Sequence, residues 1–424
     1  MPDRPATAEP GEQQPPQAVR QPPEPDRPLT FHELVFQPDG DEVTVGRLDE
    51  GTFVVLPADG AALLRRLVDG MPRAQAARWY TETYGETVDL ADFVADLGEL
   101  GFLRPPGEPA APRPPVRWQR LGRAVFSRVG AVLYLLLLAA WLTAVVRSPD
   151  LAPGYRHLFF TPYMSVLVAV MFLAQAPLIL LHEAAHALAG RRLGLPSTLS
   201  VGRRLYFVVF QTALDGLVAV ERRKRVLPML AGMLTDVAVL ASLTLLAAAT
   251  RTADGGFSLI GGVALGLGYS TVLRLLWQCF FFLRTDVYYL VVTVLGCVDL
   301  QTTAKQLLAN RWARLRGRPE PYAPESWHPR DRSVARWYSV LMAVGYTAAL
   351  ATMAVSLPPI VAKAYGTVLT QLSGDPAHRW AGLADSVLFL LMTVGELTLA
   401  TVLFLRERRT RRTARTAAGL PFPS

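Results

Sequence analysis

The residues of this chain best suited to metal chemistry are His182, Glu183 and His186, which form a His-Glu-Ala-Ala-His run. Residues i and i+4 of a helix lie on one face, so both imidazoles can reach one metal ion, with the carboxylate placed beside an attacking water. The run lies in an apolar stretch, 163–190, that contains no other charged residue. Polar residues at membrane depth are costly and usually functional. Two structural histidines satisfied by neighbouring helices are the alternative, but only six histidines occur in 424 residues, which disfavours chance.

A third metal ligand must come from elsewhere in the chain. Catalytic zinc sites usually have three protein ligands and one open position. Three aspartates are candidates: Asp286 near the end of the fourth apolar segment, Asp236 within the third, and Asp215 in the polar stretch between the second and third. Asp236 lies at a depth similar to that of the histidines, and Asp286, near the inner end of its segment, is within reach if the helices tilt or a re-entrant turn forms. Asp215 precedes a basic run and is expected to be a solvated loop residue.

Composition indicates a membrane domain joined to a polar one. Hydrophobic residues make up 51% of the chain and the mean hydropathy is +0.25, values that are high for a soluble protein and low for a pure membrane bundle. The net charge is +8, but the arginines cluster beside apolar segments, as cytoplasmic topology determinants do. No basic, aromatic-interleaved face is evident, so nucleic acid is excluded as a partner. Cys279 and Cys297 lie in apolar sequence and are expected to be small buried residues, not a disulfide.

The polar part of the chain precedes the apolar segments. Residues 1–28 are rich in Pro, Glu and Gln and predict a disordered N-terminus without the apolar core of a signal peptide. Residues 29–105 predict a small α+β domain of winged-helix type, and residues 106–128 a Pro- and Arg-rich linker. Within 29–105 we expect strands at 29–36, 42–48 and 51–56 and helices at 60–69, 72–84 and 89–100.

The remaining sequence predicts a multi-pass α-helical membrane protein with about six transmembrane helices. Each apolar segment is near the ~20 residues that span a bilayer. They divide into a core at 129–300, a cytoplasmic basic loop at 301–334, C-terminal helices at 335–405 and a basic tail at 406–424. Arginine bias places both termini in the cytoplasm. The chain is expected to break near Arg284 and continue as a short interfacial helix. The six predicted spans are 129–146, 163–190, 227–249, 258–282, 335–357 and 383–405.

Three motifs in 165–300 resemble the site-2 protease family of intramembrane zinc metalloproteases. They are the His182 to His186 run, Ala231-Gly-Met-Leu-Thr-Asp236, and Thr285-Asp-Val-Tyr-Tyr-Leu290. The resemblance implies that His182, His186 and Asp286 bind Zn²⁺ and that Glu183 is the general base. Asp236 stands where the family typically has Asn beside the active site. The chain departs from the family at Met233, where Pro is typical, and at Val287, where Gly is typical.

The 29–105 region resembles PqqD-like domains, through 51–60, the helix 63–69 and 94–103. The resemblance implies a leader peptide as partner, bound by adding a strand to a sheet edge. A generic winged-helix fold without a peptide ligand is the alternative.

Together these features predict a membrane-embedded zinc metallopeptidase acting on a peptide or membrane-protein substrate. A ribosomally made peptide undergoing maturation is one such substrate. The alternative is a non-catalytic peptide-binding or export accessory protein with a degenerate protease core. Arginine outnumbers lysine forty to three, which favours a GC-rich bacterial genome and hence a bacterial cytoplasmic membrane.

Overall fold

The computed structural model describes residues 28–105, 107–108, 115–204, 207–213, 216–373 and 379–417. Asp215, almost all of the predicted N-terminus 1–28 and parts of the predicted linker and tail lie outside the described residues. The chain divides into two compact units, one within Met1–Arg47 and Val54–Ala111 and the other within Leu48–Phe53 and Pro112–Ser424.

The first unit contains a three-stranded sheet of order β1-β2-β3 and three helices. The apolar residues of α1 recur at helical spacing, so one face of that helix packs against the sheet and against α2 and α3. Asp89 accepts hydrogen bonds from the backbone N–H groups of Ala91 and Asp92 and so begins α3. The elements are β1 (Val35–Asp39), β2 (Glu42–Arg47), β3 (Thr52–Pro57), α1 (Ala58–Val68), α2 (Arg73–Tyr84) and α3 (Leu90–Glu99).

The first strand lies later in the chain than predicted. Antiparallel pairing of Asp39 with Glu42 sets a tight turn at Gly40 (φ +69°), and this turn fixes β1 at Val35–Asp39 instead of 29–36. Phe31 forms an isolated bridge with Leu103, after α3. The strand predicted at 29–36 therefore combined two separate features of one extended segment, the isolated bridge at Phe31 and the beginning of β1 at Val35.

The second unit is mostly helical. Within the described part of the chain, five helices are long and apolar enough to cross a membrane: Arg128–Arg147, Met164–Arg192, Arg222–Ala249, Leu259–Gln278 and Trp380–Leu403. The helices are α4 (Gln119–Val125), α5 (Arg128–Arg147), α6 (Met164–Arg192), α7 (Arg222–Ala249), α8 (Leu259–Gln278), α9 (Asp286–Leu295), α10 (Leu300–Leu315), α11 (Pro329–Ser373) and α12 (Arg379–Ala417). All six predicted spans fall largely on helices. The predicted span 335–357 lies within α11, which is not among the five; several side chains of α11 are outside the described residues.

The chain breaks after α8, as the sequence predicts. Residues Phe281–Leu283 form a short 3-10 turn, Arg284 adopts a left-handed conformation (φ +57°), and α9 then begins at Asp286. A second break follows at Gly296, and α9 and α10 meet at a bend of 88°, so the pair counts as a sixth span only if it is one bent crossing. Cys279 was wrongly predicted to be buried: it is exposed at the C-cap of α8, where the helix ends, and Cys297 is half-buried.

The 191–226 segment contains a hairpin that the sequence reading missed. Strands β4 (Thr198–Arg204) and β5 (Phe207–Ala213) pair antiparallel, with Thr198 opposite Ala213. The run of aromatic and β-branched residues from Phe207 to Thr212 was the available signal. β5 packs against α6, the helix that carries the histidines.

Candidate metal centre

Three candidate ligand atoms from α6 and α9 converge on one point. His182 Nε2 and His186 Nε2 lie 3.2 Å apart, a distance that is possible because residues i and i+4 lie on the same face of α6. Asp286 Oδ2 lies 3.2 Å from His182 Nε2 and 3.3 Å from His186 Nε2. Both histidines are buried and Asp286 is partly buried. The structure thus brings together the three residues that the sequence selected as metal ligands.

Hydrogen bonds on the far side of each ring decide which nitrogen faces this point. His182 Nδ1 lies 3.0 Å from Asp236 Oδ2, and His186 Nδ1 lies 2.7 Å from the carbonyl oxygen of Pro228. A carboxylate and a carbonyl are acceptors, so each Nδ1 carries the proton and donates it. Each Nε2 of a neutral ring then presents a lone pair. This orientation, with Nδ1–H held by a carboxylate or carbonyl, is the usual one of metal-binding histidines.

The donor spacing fits a tetrahedral zinc ion. Zinc lies ~2.0–2.2 Å from nitrogen and oxygen ligands, which separates two tetrahedral ligands by roughly 3.3–3.6 Å, a range whose short end the structure matches. The three observed separations are 3.2, 3.2 and 3.3 Å. Three lone pairs so close would repel one another without a cation between them. A single proton could bridge only two of the three donors, and protonation of both rings would bring two imidazolium Nε2–H groups face to face.

Gly232 on α7 provides the room for this cluster. A Cβ built on Gly232 would overlap Nε2 of both His182 and His186 and lie 2.6 Å from His182 Cε1. Only glycine therefore allows α7 to pack this closely against the donor atoms. α7 remains helical through Met233, the position where the resemblance implies Pro, and the helix has its own proline one turn earlier, at Pro228.

Asp236 belongs to a buried ionic network behind His182. Its carboxylate is fully buried and accepts two hydrogen bonds from Arg274, Nε to Oδ2 at 2.9 Å and Nη2 to Oδ1 at 2.6 Å. The remaining Arg274 nitrogen, Nη1, donates to Gln175 Oε1 at 3.0 Å. A buried carboxylate is stable only when paired, and the planar guanidinium does so with two parallel bonds. Asp236 is thus the partner of the His182 ring and is not part of the donor triangle.

A glutamine holds the third candidate ligand in place. Gln278 Nε2 donates to Asp286 Oδ2 at 3.0 Å, and Gln278 Oε1 accepts from the Asp286 backbone N–H at 3.0 Å. Thr285 Oγ1 donates to the Gln278 carbonyl at 2.8 Å, which links the end of α8 to the start of α9. The break at Arg284 therefore turns the chain so that Asp286 faces α6. Arg284 itself faces Asp299, with 3.6 Å between Nη2 and Oδ1.

Glu183 lies on α6 between the two histidines and is half-buried. Its backbone carbonyl accepts a hydrogen bond of 2.8 Å from Thr212 Oγ1, which ties β5 to α6 at this residue. Among the residues that the structure describes, none forms a hydrogen bond or ion pair with the Glu183 carboxylate.

Sequence reasoning missed Arg274, Gln278, Gln175 and Gly232. Arg274 had a clear signal, because it is the only charged residue in the apolar segment 259–278 and charge at that depth requires a partner. The two glutamines gave no signal beyond their polarity. A scan against protein-family models, a search among curated proteins and a search among solved structures each gave no match, so the argument for function depends on the geometry of this site.

Proposed function

We propose that this protein is a membrane-embedded zinc metallopeptidase of the site-2 protease type. The observation that supports this most strongly is the donor triangle of His182, His186 and Asp286, with both Nδ1–H groups held by acceptors and Glu183 between the histidines. A structural ion-pair cluster would not require two ring nitrogens directed at one point. A scaffold likewise would not require the Glu183 carboxylate, which pairs with none of the described residues, between the two histidines.

The roles of the residues follow from their contacts. A zinc ion held by the three donors would supply Lewis acidity toward the scissile carbonyl and a nucleophilic water near pH 7. Glu183 would accept a proton from the attacking water and deliver it to the leaving amine as the C–N bond breaks. Asp236, anchored by Arg274, keeps the proton of His182 on Nδ1 and so leaves Nε2 free. Gln278 keeps Asp286 directed at the histidines.

The substrate must present an extended backbone, because helical carbonyls are engaged in intramolecular hydrogen bonds. The hairpin supports this requirement. It is two-stranded among the described residues, so each strand has an edge without a strand partner, and β5 contacts α6 at Glu183. We propose a peptide or membrane-protein substrate whose cleaved segment is extended.

We further propose that 29–105 is a PqqD-like, winged-helix-type domain that binds a leader peptide. The order β1-β2-β3 supports this, because β1 and β3 are both edge strands in that sheet and either can accept an added strand. The protein would then act in the maturation of a ribosomally made peptide. Its place would be the bacterial cytoplasmic membrane, with both termini in the cytoplasm.

Two measurements test the peptidase. Purified wild type should contain about one zinc per chain, and His186→Ala should lose it because one of three donors is gone. Glu183→Gln should keep zinc, because Glu183 is outside the donor triangle, yet lose cleavage of a peptide or membrane-protein substrate. Equal, negligible zinc in wild type and His186→Ala would refute the metal site. Zinc in wild type with cleavage unchanged in Glu183→Gln would leave the metal site standing and refute the role of Glu183.

The same measurements bear on the non-catalytic accessory protein. Such a protein would show no cleavage in any variant, and removal of zinc would leave peptide binding unchanged.

A further inference from the structure

A basic cavity of the second unit lies where α4 and α6 end and α7 begins. This basic cup, of about 570 Å³, is lined by Arg123, Arg192, Leu193, Arg223, Lys224 and Leu227. Four of its six lining residues are cations and none is acidic. Among the described residues, Arg123, Arg192 and Arg223 have no ion-pair partner, and Lys224 pairs only with the exposed Glu221, at 3.2 Å. Convergence of unpaired cations on one cavity is unfavourable unless an anion occupies it.

The fold brings these cations together through specific packing. A Cβ on Gly122 would overlap the carbonyl oxygen of Leu188 and lie 3.2 Å from the backbone nitrogen of Arg192. Glycine at 122 thus lets α4 pack directly on the last turns of α6, and this packing places Arg123 near Arg192. α7 begins at Arg222 without a side-chain cap, so its first backbone N–H groups add a partial positive charge on this side of the cup.

An apolar crevice continues from the basic cup. The crevice, of about 680 Å³, lies between α5, α6 and α7 and shares Leu227 with the cup. Its walls are almost entirely apolar and include Ala131, Leu135, Leu181, Leu188, Leu234 and Ala238. Leu135 is 62% exposed and Leu181 48% exposed, so the crevice opens to the outside of the bundle. In a helix that spans a bilayer, that outside is lipid.

From this juxtaposition we propose that the second unit binds one anionic glycerophospholipid, with the phosphodiester head group in the basic cup and an acyl chain in the apolar crevice. A single molecule with a charged head and a hydrocarbon tail matches two adjoining cavities of opposite character. Basic pockets between membrane helices on the cytoplasmic side are known to bind anionic head groups. Cations that only set topology must lie on the correct side, but they need not converge on one cavity. This site is separate from the donor triangle and does not depend on the peptidase activity.

Binding of defined lipids to the purified full chain tests the proposal. The probes are phosphatidylglycerol and phosphatidylcholine with identical acyl chains, measured by native mass spectrometry in a neutral detergent. Phosphatidylglycerol should bind at least roughly tenfold more tightly. Arg123→Gln with Arg223→Gln should weaken its binding by about thirtyfold and leave phosphatidylcholine unchanged. The matched control, Arg316→Gln with Arg318→Gln, removes the same charge at exposed positions on the 301–334 segment and should change binding by less than about threefold.

A second pair of variants tests the crevice. Ala131→Phe fills it and should weaken binding of both lipids, whereas Ala140→Phe, exposed on the same helix but outside the lining, should not. Equal binding of the two lipids, or an equal loss in the control arginine pair, would overturn the proposal. Full displacement of lipid by millimolar glycerol 3-phosphate would also overturn the proposal, because it would show that the basic cup is a site for a free anion. Unchanged lipid binding in Ala131→Phe together with lost cleavage would assign the crevice to substrate entry instead.

Discussion

Replacing Gly232 by alanine should abolish zinc binding without unfolding the protein. The added Cβ would overlap both histidine Nε2 atoms and lie 2.6 Å from His182 Cε1. Nonbonded carbon atoms prefer ~3.5–4.0 Å, so the His182 ring must withdraw by about 1 Å. Ligand distances in zinc sites vary by only ~0.2 Å, and a donor displaced by several times that amount no longer binds. We expect zinc affinity to fall by at least about 100-fold, which corresponds to roughly 2.8 kcal/mol.

The assay is zinc stoichiometry after dialysis against a chelator of known affinity, with circular dichroism as the check on folding. Alanine is favoured over glycine in helices by ~0.8–1.0 kcal/mol, so intrinsic propensity opposes any loss of α7. Gly395→Ala is the matched control: it makes the same chemical change on α12, where the new Cβ meets nothing within 4 Å. A Gly232→Ala protein that binds zinc within threefold of wild type would refute the inferred close approach of α7 to the donor atoms.

Two further predictions concern charged groups. Arg274→Gln should lower the free energy of unfolding by about 3–5 kcal/mol, because it leaves the buried Asp236 without its guanidinium. The control Arg251→Gln breaks a partly exposed ion pair and should lower it by about 1 kcal/mol or less. Equal losses in denaturant titrations of the two variants would contradict the buried ionic network behind His182. In the first unit, the hydrogen bond from Tyr80 lowers the pKa of Asp59 below its usual 3.8 and raises the pKa of Tyr80 from 10.0 to about 12. The stabilisation by Asp59 is therefore present above pH 3.8 and lost as the pH falls below it, and that by Tyr80 is present below pH 10 and lost toward pH 12. Tyr80→Phe should accordingly speed hydrogen exchange of the α1 and α2 peptides at pH 7, after correction for intrinsic rates, and this difference should shrink as the pH falls below 3.8. A pH-independent difference would show that this bond does not titrate.

The positions of the helices could be predicted because their apolar segments have about the length that a bilayer crossing would require. The predicted spans 129–146, 163–190 and 227–249 lie within α5, α6 and α7 apart from one residue. The break near Arg284 was predictable for the same reason, since the apolar run through Tyr288 is too long for one crossing. The strand at 29–36 was misplaced because alternation alone does not fix where a hairpin turns; Gly40 does.

The same distinction holds for the site: contacts within one helix could be predicted from spacing, and contacts between elements could not. His182 and His186 lie on one helix, so their convergence follows from the i, i+4 spacing alone. The choice between Asp286 and Asp236 required the rotation of α7 and the direction of the chain after the break, which hydropathy does not give. Both aspartates lie beside His182, one on each ring nitrogen, and only the three-dimensional arrangement separates a donor-triangle atom from a ring-orienting one.

Charge balance at the site argues for a divalent cation over a purely structural cluster. Asp236 and Arg274 form an ion pair that is neutral as a whole. With both histidines neutral, as their Nδ1 acceptors favour, the Asp286 carboxylate has only ring nitrogens and the Gln278 amide as side-chain partners among the described residues, and none of these is a cation. Uncompensated charge at membrane depth is strongly disfavoured. A metal cation between the three donors supplies positive charge and accepts a lone pair from each of them, whereas a single proton can be shared by only two of the three. The buried donor residues that are energetically unfavourable without a metal ion are thus the ones that a zinc ion would stabilise.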